Sequence, residues 1–247
     1  MAWYAWATIL QPAVADELQS NGFFQRAWSD PKTLTNTRIK ICGITRPEDA
    51  LAAAQAGTDA VGVVFAASPR RVTPRHAREI LAALPPFVSA VGVFVNARAS
   101  TILRTAAEVG FSTVQLHGDE PPTLVEQLGG LRVIKAMHVR HRKFIEDVHR
   151  YAEAGVCGIL LDAFSPTARG GSGKRFDWDL VSGAQSAGAL DGAPPLILAG
   201  GLTHENVAAG IRRIHPWGVD VSTGVEDAPG IKNAEKIVRF IATVKRG

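Results

Sequence analysis

Eight times between Arg38 and the C-terminus, a β-branched apolar run is followed by a polar or glycine-containing turn and then by a helical pattern rich in Ala, Leu, Glu and Arg. Near-continuous apolar runs that alternate with helices are typical of parallel strands covered on both faces. Eight such units close a (β/α)8 barrel, so the pattern predicts a single TIM barrel. The predicted strands are Arg38–Gly43, Ala60–Phe65, Val88–Val95, Thr113–His117, Arg132–Met137, Gly158–Asp162, Pro195–Ala199 and Gly218–Val221.

The helical patterns carry start and stop signals. In the first, Pro47 opens the helix, Glu48 and Asp49 suit the positive end of its dipole, and Gly57 ends it. The alternative fold is an open doubly wound sheet, but no G-x-G-x-x-G sequence follows the first strand, which favours the barrel. The predicted helices are Pro47–Ala56, Pro74–Leu84, Ser100–Val109, Pro121–Leu128, Arg142–Ala154, Trp178–Ala187, His204–Ile214 and Ala234–Val244.

The first 37 residues differ from the rest of the chain and are expected to be an N-terminal extension and linker of unknown role. They are rich in alanine and aromatic residues, and "SDPKTLTNT" at their end has a linker composition. The "AVA" sequence at 13–15 resembles a signal-peptidase site, but no Lys or Arg precedes the apolar part, which argues against secretion. Residues 38–247 are expected to form the catalytic barrel domain.

Composition restricts the ligand classes. The net charge of +4 is spread along the chain rather than concentrated in basic runs, which fits a small anionic ligand better than nucleic acid. Two cysteines are too few for a disulfide framework and match no metal-binding spacing, so a reducing, cytoplasmic setting is expected. No apolar run reaches the ~18 residues of a membrane helix. We therefore expect neither a nucleic-acid nor a membrane partner.

Function in such barrels collects where the strands end and the βα loops begin. Strand alternation places Lys40 and Cys42 on one face of the first strand, and Ile39 and Ile41 on the other. The branched pair should pack on helices, so Lys40 and Cys42 are expected inside the barrel. A nearby cation favours ionisation of a thiol, and a Cys42 thiolate could act as base or nucleophile. The alternative is a small buried hydrophobe, which is our interpretation of Cys157.

Two carboxylates belong to the same predicted interior. Asp162 follows four apolar residues in "GILLDAF", and a carboxylate there is unfavourable unless it is paired or functional. It is a candidate general acid, and the alternative is that it caps the next turn. Asp220 lies on the inward face of the last strand, beside the first. We predict a buried ion pair between Asp220 and Lys40, because neither charge could remain alone there.

Two loops have the composition of a phosphate site. Gly200 and Gly201 follow the seventh strand, and Ser222, Thr223 and Gly224 follow the eighth. These are the positions at which such barrels often bind phosphate through backbone N–H groups. Each loop taken alone is only a turn, but together they predict that the ligand is a phosphorylated small molecule.

Three further features lie near the predicted strand ends. Arg70, just past the second strand, could bind a carboxylate with its guanidinium fork. His117 could donate to a substrate, although a lone histidine is often structural. The sequence Thr167–Phe176 fails as a P-loop, because Lys174 is followed by Arg175 rather than Ser or Thr. We interpret it as a lid over the barrel, with a plain surface loop as the alternative.

Nine blocks of the sequence, in order, resemble the phosphoribosylanthranilate isomerase family of tryptophan biosynthesis. The resemblance runs from Arg38 to the C-terminus and includes none of the first 37 residues. Arg71 departs from the family, which often has an aromatic residue there. The blocks are KICGIT, DAVGVVF, SPRRV, VGVFVN, VQLHGDE, VIKA, LLDAFSP…GGSGKRFDW, LAGGLTHENV and GVDVSTGVE…PGIKN.

The resemblance implies an Amadori rearrangement of N-(5-phosphoribosyl)anthranilate to 1-(2-carboxyphenylamino)-1-deoxyribulose 5-phosphate. It implies that Cys42 is the general base and Asp162 the general acid, and that no cofactor or metal takes part. It also implies that Arg70, His117 and Asp220 contact the substrate. The phosphate ligands implied by the resemblance are Gly200, Gly201, Ser222 and Gly224, and Thr223 of the same loop is a further candidate.

Other functions remain open on the sequence alone. One is a related phosphate-binding barrel enzyme, either the isomerase of histidine biosynthesis or indole-glycerol-phosphate synthase. Another is a non-catalytic barrel that binds a phosphorylated ligand or a protein. Such a barrel would keep the phosphate loops without needing both Cys42 and Asp162. The oligomeric state is expected to be a monomer or a homodimer.

Overall fold

The computed structural model describes residues 36–163 and 177–247, and in it eight parallel strands form a closed barrel in chain order. The predicted (β/α)8 fold is therefore confirmed, and every strand boundary lies within two residues of its predicted position. The lid predicted for Thr167–Phe176 lies outside the described residues, as does the extension apart from Asn36 and Thr37. The strands are β1 (Arg38–Cys42), β2 (Ala60–Val64), β3 (Ser89–Phe94), β4 (Thr113–Leu116), β5 (Arg132–Val139), β6 (Gly158–Ala163), β7 (Leu196–Leu198) and β8 (Gly218–Val221).

One helix follows each barrel strand, and the fourth, fifth and seventh are each three residues shorter than predicted. The seventh begins at Val207 rather than His204, because the Asn206 side chain accepts from Thr203 N and donates to the Gly201 carbonyl, which makes a turn of 203–206. The helices are α1 (Pro47–Ala56), α2 (Pro74–Ala82), α3 (Ala99–Val109), α4 (Thr123–Gln127), α5 (Phe144–Glu153), α6 (Trp178–Ser186), α7 (Val207–Ile214) and α8 (Ala234–Arg246).

Among the residues that the structure describes, apolar side chains form two separate clusters. The larger one fills the space between the barrel wall and the helices, and it includes Ile39 and Ile41, as strand alternation predicts. The smaller one lies within the barrel. Its buried members are Val91, Ile134, Ala136, Leu160, Ile197 and Ala199. The strands that contribute most of these residues, β5 to β7, therefore give the interior an apolar side.

A small hairpin separates the last strand from the last helix. It consists of β9 (Glu226–Ala228) and β10 (Ile231–Lys232), and a 3₁₀ turn over Thr223–Val225 leads into it from β8. The hairpin closes against the ends of β1 and β8, since the Lys232 ammonium donates to the Cys42 and Ser222 carbonyls. Within the described ranges, none of the helices is both long and apolar enough to cross a membrane.

Candidate active site

Lys40 is the charged centre of the barrel interior. Its register partner on β8 is Asp220, and the Lys40 Nζ to Asp220 Oδ1 distance is 2.9 Å, with both side chains less than a tenth exposed. The predicted buried ion pair is confirmed. Burial alone would lower the pKa of Lys40, but the Asp220 carboxylate and the Cys42 sulfur raise it above its ordinary value. Lys40 is therefore an ammonium ion in the folded protein.

Cys42 ends β1 with its sulfur inside the barrel, one layer above Lys40. Room for the sulfur depends on Gly62 of β2, because a Cβ built there would lie 2.7 Å from the Cys42 Sγ and 3.1 Å from the Lys40 Nζ. Burial raises the pKa of the Cys42 thiol, while the ammonium groups of Lys40 and Lys232 act to lower it. The cation effect predicted for Lys40 is present, but burial outweighs it.

A line of hydrogen-bonded side chains crosses the barrel from β1 to β6. The Lys40 Nζ lies 3.0 Å from Gln115 Oε1, and Gln115 Nε2 lies 2.9 Å from His117 Nδ1. His117 Nε2 in turn lies 3.1 Å from Asp162 Oδ2. Gln115 is completely buried. The line joins Asp220 and Lys40 at one side of the barrel to Asp162 at the other.

Asp162 lies near the end of β6 with its carboxyl group turned inward. Its Oδ1 accepts from the Ala163 backbone N–H at 2.7 Å. The glycine after β7 is required beside it, because a Cβ at Gly200 would lie 2.4 Å from Ala163 N and 2.8 Å from Asp162 Oδ1. His138, the register partner of Asp162 on β5, has its ring centre 6.1 Å from that of His117. Burial lowers the pKa of His138 against the pull of the Asp162 carboxylate.

A second charged cluster, formed by Arg70, Glu226 and Lys232, lies where the hairpin meets the barrel. The Arg70 Nε and Nη2 donate to the two Glu226 oxygens at 2.8 and 2.6 Å, and Lys232 Nζ lies 2.7 Å from Glu226 Oε1. Burial acts to raise the pKa of Glu226, but the bonds from Arg70 and Lys232 prevail and lower it. Burial lowers the pKa of Lys232 in spite of Glu226. The Arg70 fork is thus bound to Glu226, and its contact with substrate stays a prediction.

The two predicted phosphate loops adjoin each other. Gly200 and Gly201 both have positive φ, of 83° and 64°. A Cβ at Gly224 would lie 2.0 Å from the Leu202 carbonyl oxygen, so the loop after β8 packs directly on the loop after β7. Ser222 and Thr223 come between β8 and Gly224. Phosphate binding by these loops stays a prediction.

Sequence reasoning missed several residues of this site. Gln115 lies inside "VQLHGDE", where its inward parity with His117 was an available signal. Glu226 and Lys232 reach the site through the hairpin, and no local pattern predicts that contact. Among residues 36–163 and 177–247, no group of three or more His, Cys, Asp or Glu side chains could hold a metal ion.

Comparison with known proteins places this arrangement in a family. The family model described as N-(5'phosphoribosyl)anthranilate (PRA) isomerase matches residues 39–243. The chain belongs to this family. A relative from Pelobacter propionicus, named N-(5'-phosphoribosyl)anthranilate isomerase, is 49% identical over 209 residues, which are 84% of this chain and 95% of the relative.

Solved structures of PRA isomerases have the same fold. One, in complex with reduced 1-(o-carboxyphenylamino)-1-deoxyribulose 5-phosphate, is 41% identical with a TM-score of 0.74, and the match covers 85% of this chain and all of that one. Another, of monomers generated from the dimeric enzyme of Thermotoga maritima, is 40% identical with a TM-score of 0.75 and the same coverage. Among the phosphate-binding barrels considered from the sequence, the match selects the PRA isomerases.

Proposed function

We propose that Cys42 and Asp162 are the base and the acid of an Amadori rearrangement in this chain. The chain is a PRA isomerase of tryptophan biosynthesis by its family. The reaction converts N-(5-phosphoribosyl)anthranilate into 1-(2-carboxyphenylamino)-1-deoxyribulose 5-phosphate. It needs one proton donor, one proton acceptor, and groups that bind the carboxylate and the phosphate of the substrate.

The proposed steps leave the proton count of the substrate unchanged, and the Asp162 carboxylate and the Cys42 thiol return to their starting forms by proton exchange with water. Asp162 protonates the furanose ring oxygen, and the ring C–O bond breaks to give a cationic Schiff base. The imine acidifies the adjacent carbon, from which the Cys42 thiolate removes a proton to leave an enolamine. Tautomerisation of the enolamine gives the aminoketose. Because burial disfavours the thiolate, the ammonium groups of Lys40 and Lys232 are needed to retain it.

The observation that supports these roles is the line of side chains across the barrel. Cys42 lies beside Lys40 at one end of it, and Asp162 accepts from His117 at the other. The proposed acid, Asp162, and the proposed base, Cys42, thus act on one substrate from two sides of the barrel mouth, the end at which the strands finish. We assign substrate contacts to Arg70, His117 and Asp220. The proposed phosphate ligands are Gly200, Gly201, Ser222, Thr223 and Gly224.

The ligand class has independent support. The family member cited above was solved with a reduced form of the phosphorylated product. We infer that this chain binds a phosphorylated small molecule in the same mouth. We also propose that it works in the cytoplasm without a cofactor, as a monomer or a homodimer; the Thermotoga maritima enzyme is dimeric.

A fluorescence assay that follows the loss of phosphoribosylanthranilate tests the two roles. We expect Cys42→Ser and Asp162→Asn each to lower kcat at least ~10²-fold, the usual contribution of a proton-transfer group. Cys157→Ala is the matched control, because Cys157 is a free, partly buried cysteine outside the mouth, and its kcat should equal that of the wild type. Near-normal turnover in either test variant would refute the role assigned to that residue.

A further inference from the structure

The orientation of the Gln115 amide follows from its neighbour. An amide oxygen and nitrogen have similar shapes, so the hydrogen-bond network decides which is which. An ammonium group can only donate. The Lys40 Nζ therefore requires the amide oxygen at its 3.0 Å contact, and the Gln115 NH₂ group must face His117.

The same logic fixes the proton on His117. The Gln115 NH₂ group is a donor only, so the Nδ1 atom 2.9 Å away must accept and carries no proton. An imidazolium ring would bring two N–H groups against each other at this contact. His117 is therefore a neutral ring with its proton on Nε2, and this N–H donates to Asp162 Oδ2 at 3.1 Å.

The N–H that His117 donates limits where Asp162 can carry a proton. Each carboxyl oxygen has two lone pairs. The Ala163 N–H occupies one on Oδ1, and the His117 N–H occupies one on Oδ2. A proton carried by Asp162 must use a remaining lone pair, which points away from both donors.

We propose that Gln115, oriented by Lys40, is a positioning residue that holds His117 as the neutral Nε2–H ring and so directs the proton of Asp162 away from the protein donors and toward the substrate. The proposal rests on the acid role of Asp162 given under the proposed function. Gln115 hydrogen-bonds to Lys40 and His117 and acts on Asp162 through His117.

The side chain at position 115 suits this task in a way that its closest relatives do not. Glutamate has the same length, but its carboxylate would accept both from Lys40 and from a protonated Nδ1. Gln115→Glu should therefore move a proton onto Nδ1. Methionine has a similar shape but gives Nδ1 no N–H donor. Since Gln115 is fully buried, both variants change the network without opening a path to solvent.

The first measurement is made on the unaltered full-length protein. ¹⁵N NMR of histidine-labelled enzyme, with the His117 signals assigned by their loss in His117→Asn, should show Nε2 protonated and Nδ1 unprotonated in the folded protein. In Gln115→Glu, Nδ1 should become protonated. A wild-type ring with a proton on Nδ1 would overturn the proposal, whether or not the enzyme is active.

The second measurement is kinetic. We expect Gln115→Glu and Gln115→Met to lower kcat about 10- to 100-fold, as loss of a group that orients a functional side chain does, with little change in KM because the phosphate loops are untouched. The matched control is Gln185→Glu on α6, a partly buried glutamine that bonds to the Ile214 carbonyl; it should change neither kcat nor the His117 signals. An unchanged kcat in folded Gln115→Glu would overturn the proposal. An inactive wild type would instead refute the proposed function.

Discussion

Two buried lysine–carboxylate pairs, Lys40–Asp220 and Lys135–Glu120, lie on opposite sides of the barrel wall. Each lysine comes from an apolar strand, and the Nζ to carboxylate distances are 2.9 and 3.0 Å. Both pairs are less than a tenth exposed. Burial and pairing therefore do not distinguish them.

The two lysines differ in their remaining hydrogen-bond partners. Lys135 faces the helices, 5.6 Å from the centre of the Tyr151 ring, and its ammonium donates to the backbone carbonyls of Leu116, Gly118 and Ala136. Lys40 faces the lumen, where its partners besides Asp220 are functional side chains. A lysine that holds backbone carbonyls secures a loop, whereas one that holds side chains sets their orientation and charge.

The largest expected effect is on stability. Lys135→Met leaves the Glu120 carboxylate buried without its cation, which should cost about 3 kcal/mol of unfolding free energy. The loss should be visible in urea unfolding, while kcat of the remaining folded enzyme should equal that of the wild type.

The control is Lys236→Met on α8, which removes an exposed pair with Asp227. An exposed pair should contribute less than about 1 kcal/mol. If Lys135→Met impaired kcat without lowering stability, the distinction between the two sides of the wall would be wrong.

The next effect concerns the pH dependence of activity. Lys40→Met removes the main cation that opposes burial at Cys42, so the pKa of the thiol should rise further. A base must be deprotonated to act, so the rising limb of the kcat/KM profile should move to higher pH. At neutral pH the loss should be about 10²-fold, or ~2.7 kcal/mol of transition-state stabilisation.

The pH profile separates a change in thiol ionisation from general damage. Lys135→Met is the matched lysine-to-methionine control, and its profile should coincide with that of the wild type. A folded Lys40→Met enzyme whose profile also coincides would show that Lys40 has no effect on the base.

The Lys40–Asp220 pair inside the barrel could be predicted from the sequence. Period-two alternation along β1 and β8 placed Lys40, Cys42 and Asp220 inside, and the cost of an isolated buried charge then predicted their pairing. The same alternation applied to β5 distinguishes Lys135 from Ile134 and Ala136, which belong to the interior cluster. Local pattern is sufficient for these features because strand parity and apolar content are local properties.

The remainder of the site depends on contacts between distant parts of the chain. The Lys40–Gln115 bond spans 75 residues and the Arg70–Glu226 bonds span 156. Their geometry is set by barrel closure and by the hairpin, neither of which has a sequence signature at these positions. The shortened α7 is a smaller case, in which one asparagine side chain replaces a turn of helix.

The smallest expected effect concerns a third buried pair, Glu226–Lys232. Its contribution to stability can be measured as the protein unfolds at low pH. Because the folded-state pKa of Glu226 lies below the ordinary value of 4.5, its ionisation stabilises the fold above that pH. The contribution is lost as the pH falls through the lowered pKa. Between about pH 6 and pH 3, wild-type stability should therefore fall more steeply than that of Glu226→Gln, by at most ~1.4 kcal/mol per pH unit for one proton.

Urea unfolding at each pH measures the two slopes. Glu235→Gln is the control, because Glu235 is an exposed carboxylate 3.5 Å from Arg239, and its slope should match that of the wild type. Equal slopes for wild type and Glu226→Gln would mean that Glu226 gains no proton on unfolding in this range. The Glu226 cluster would then, like the Lys135–Glu120 pair, serve only to fix the position of nearby backbone. A steeper wild-type slope would mean that the ionised Glu226, within the cluster of Arg70, Glu226 and Lys232, stabilises the chain around Cys42 and Ser222.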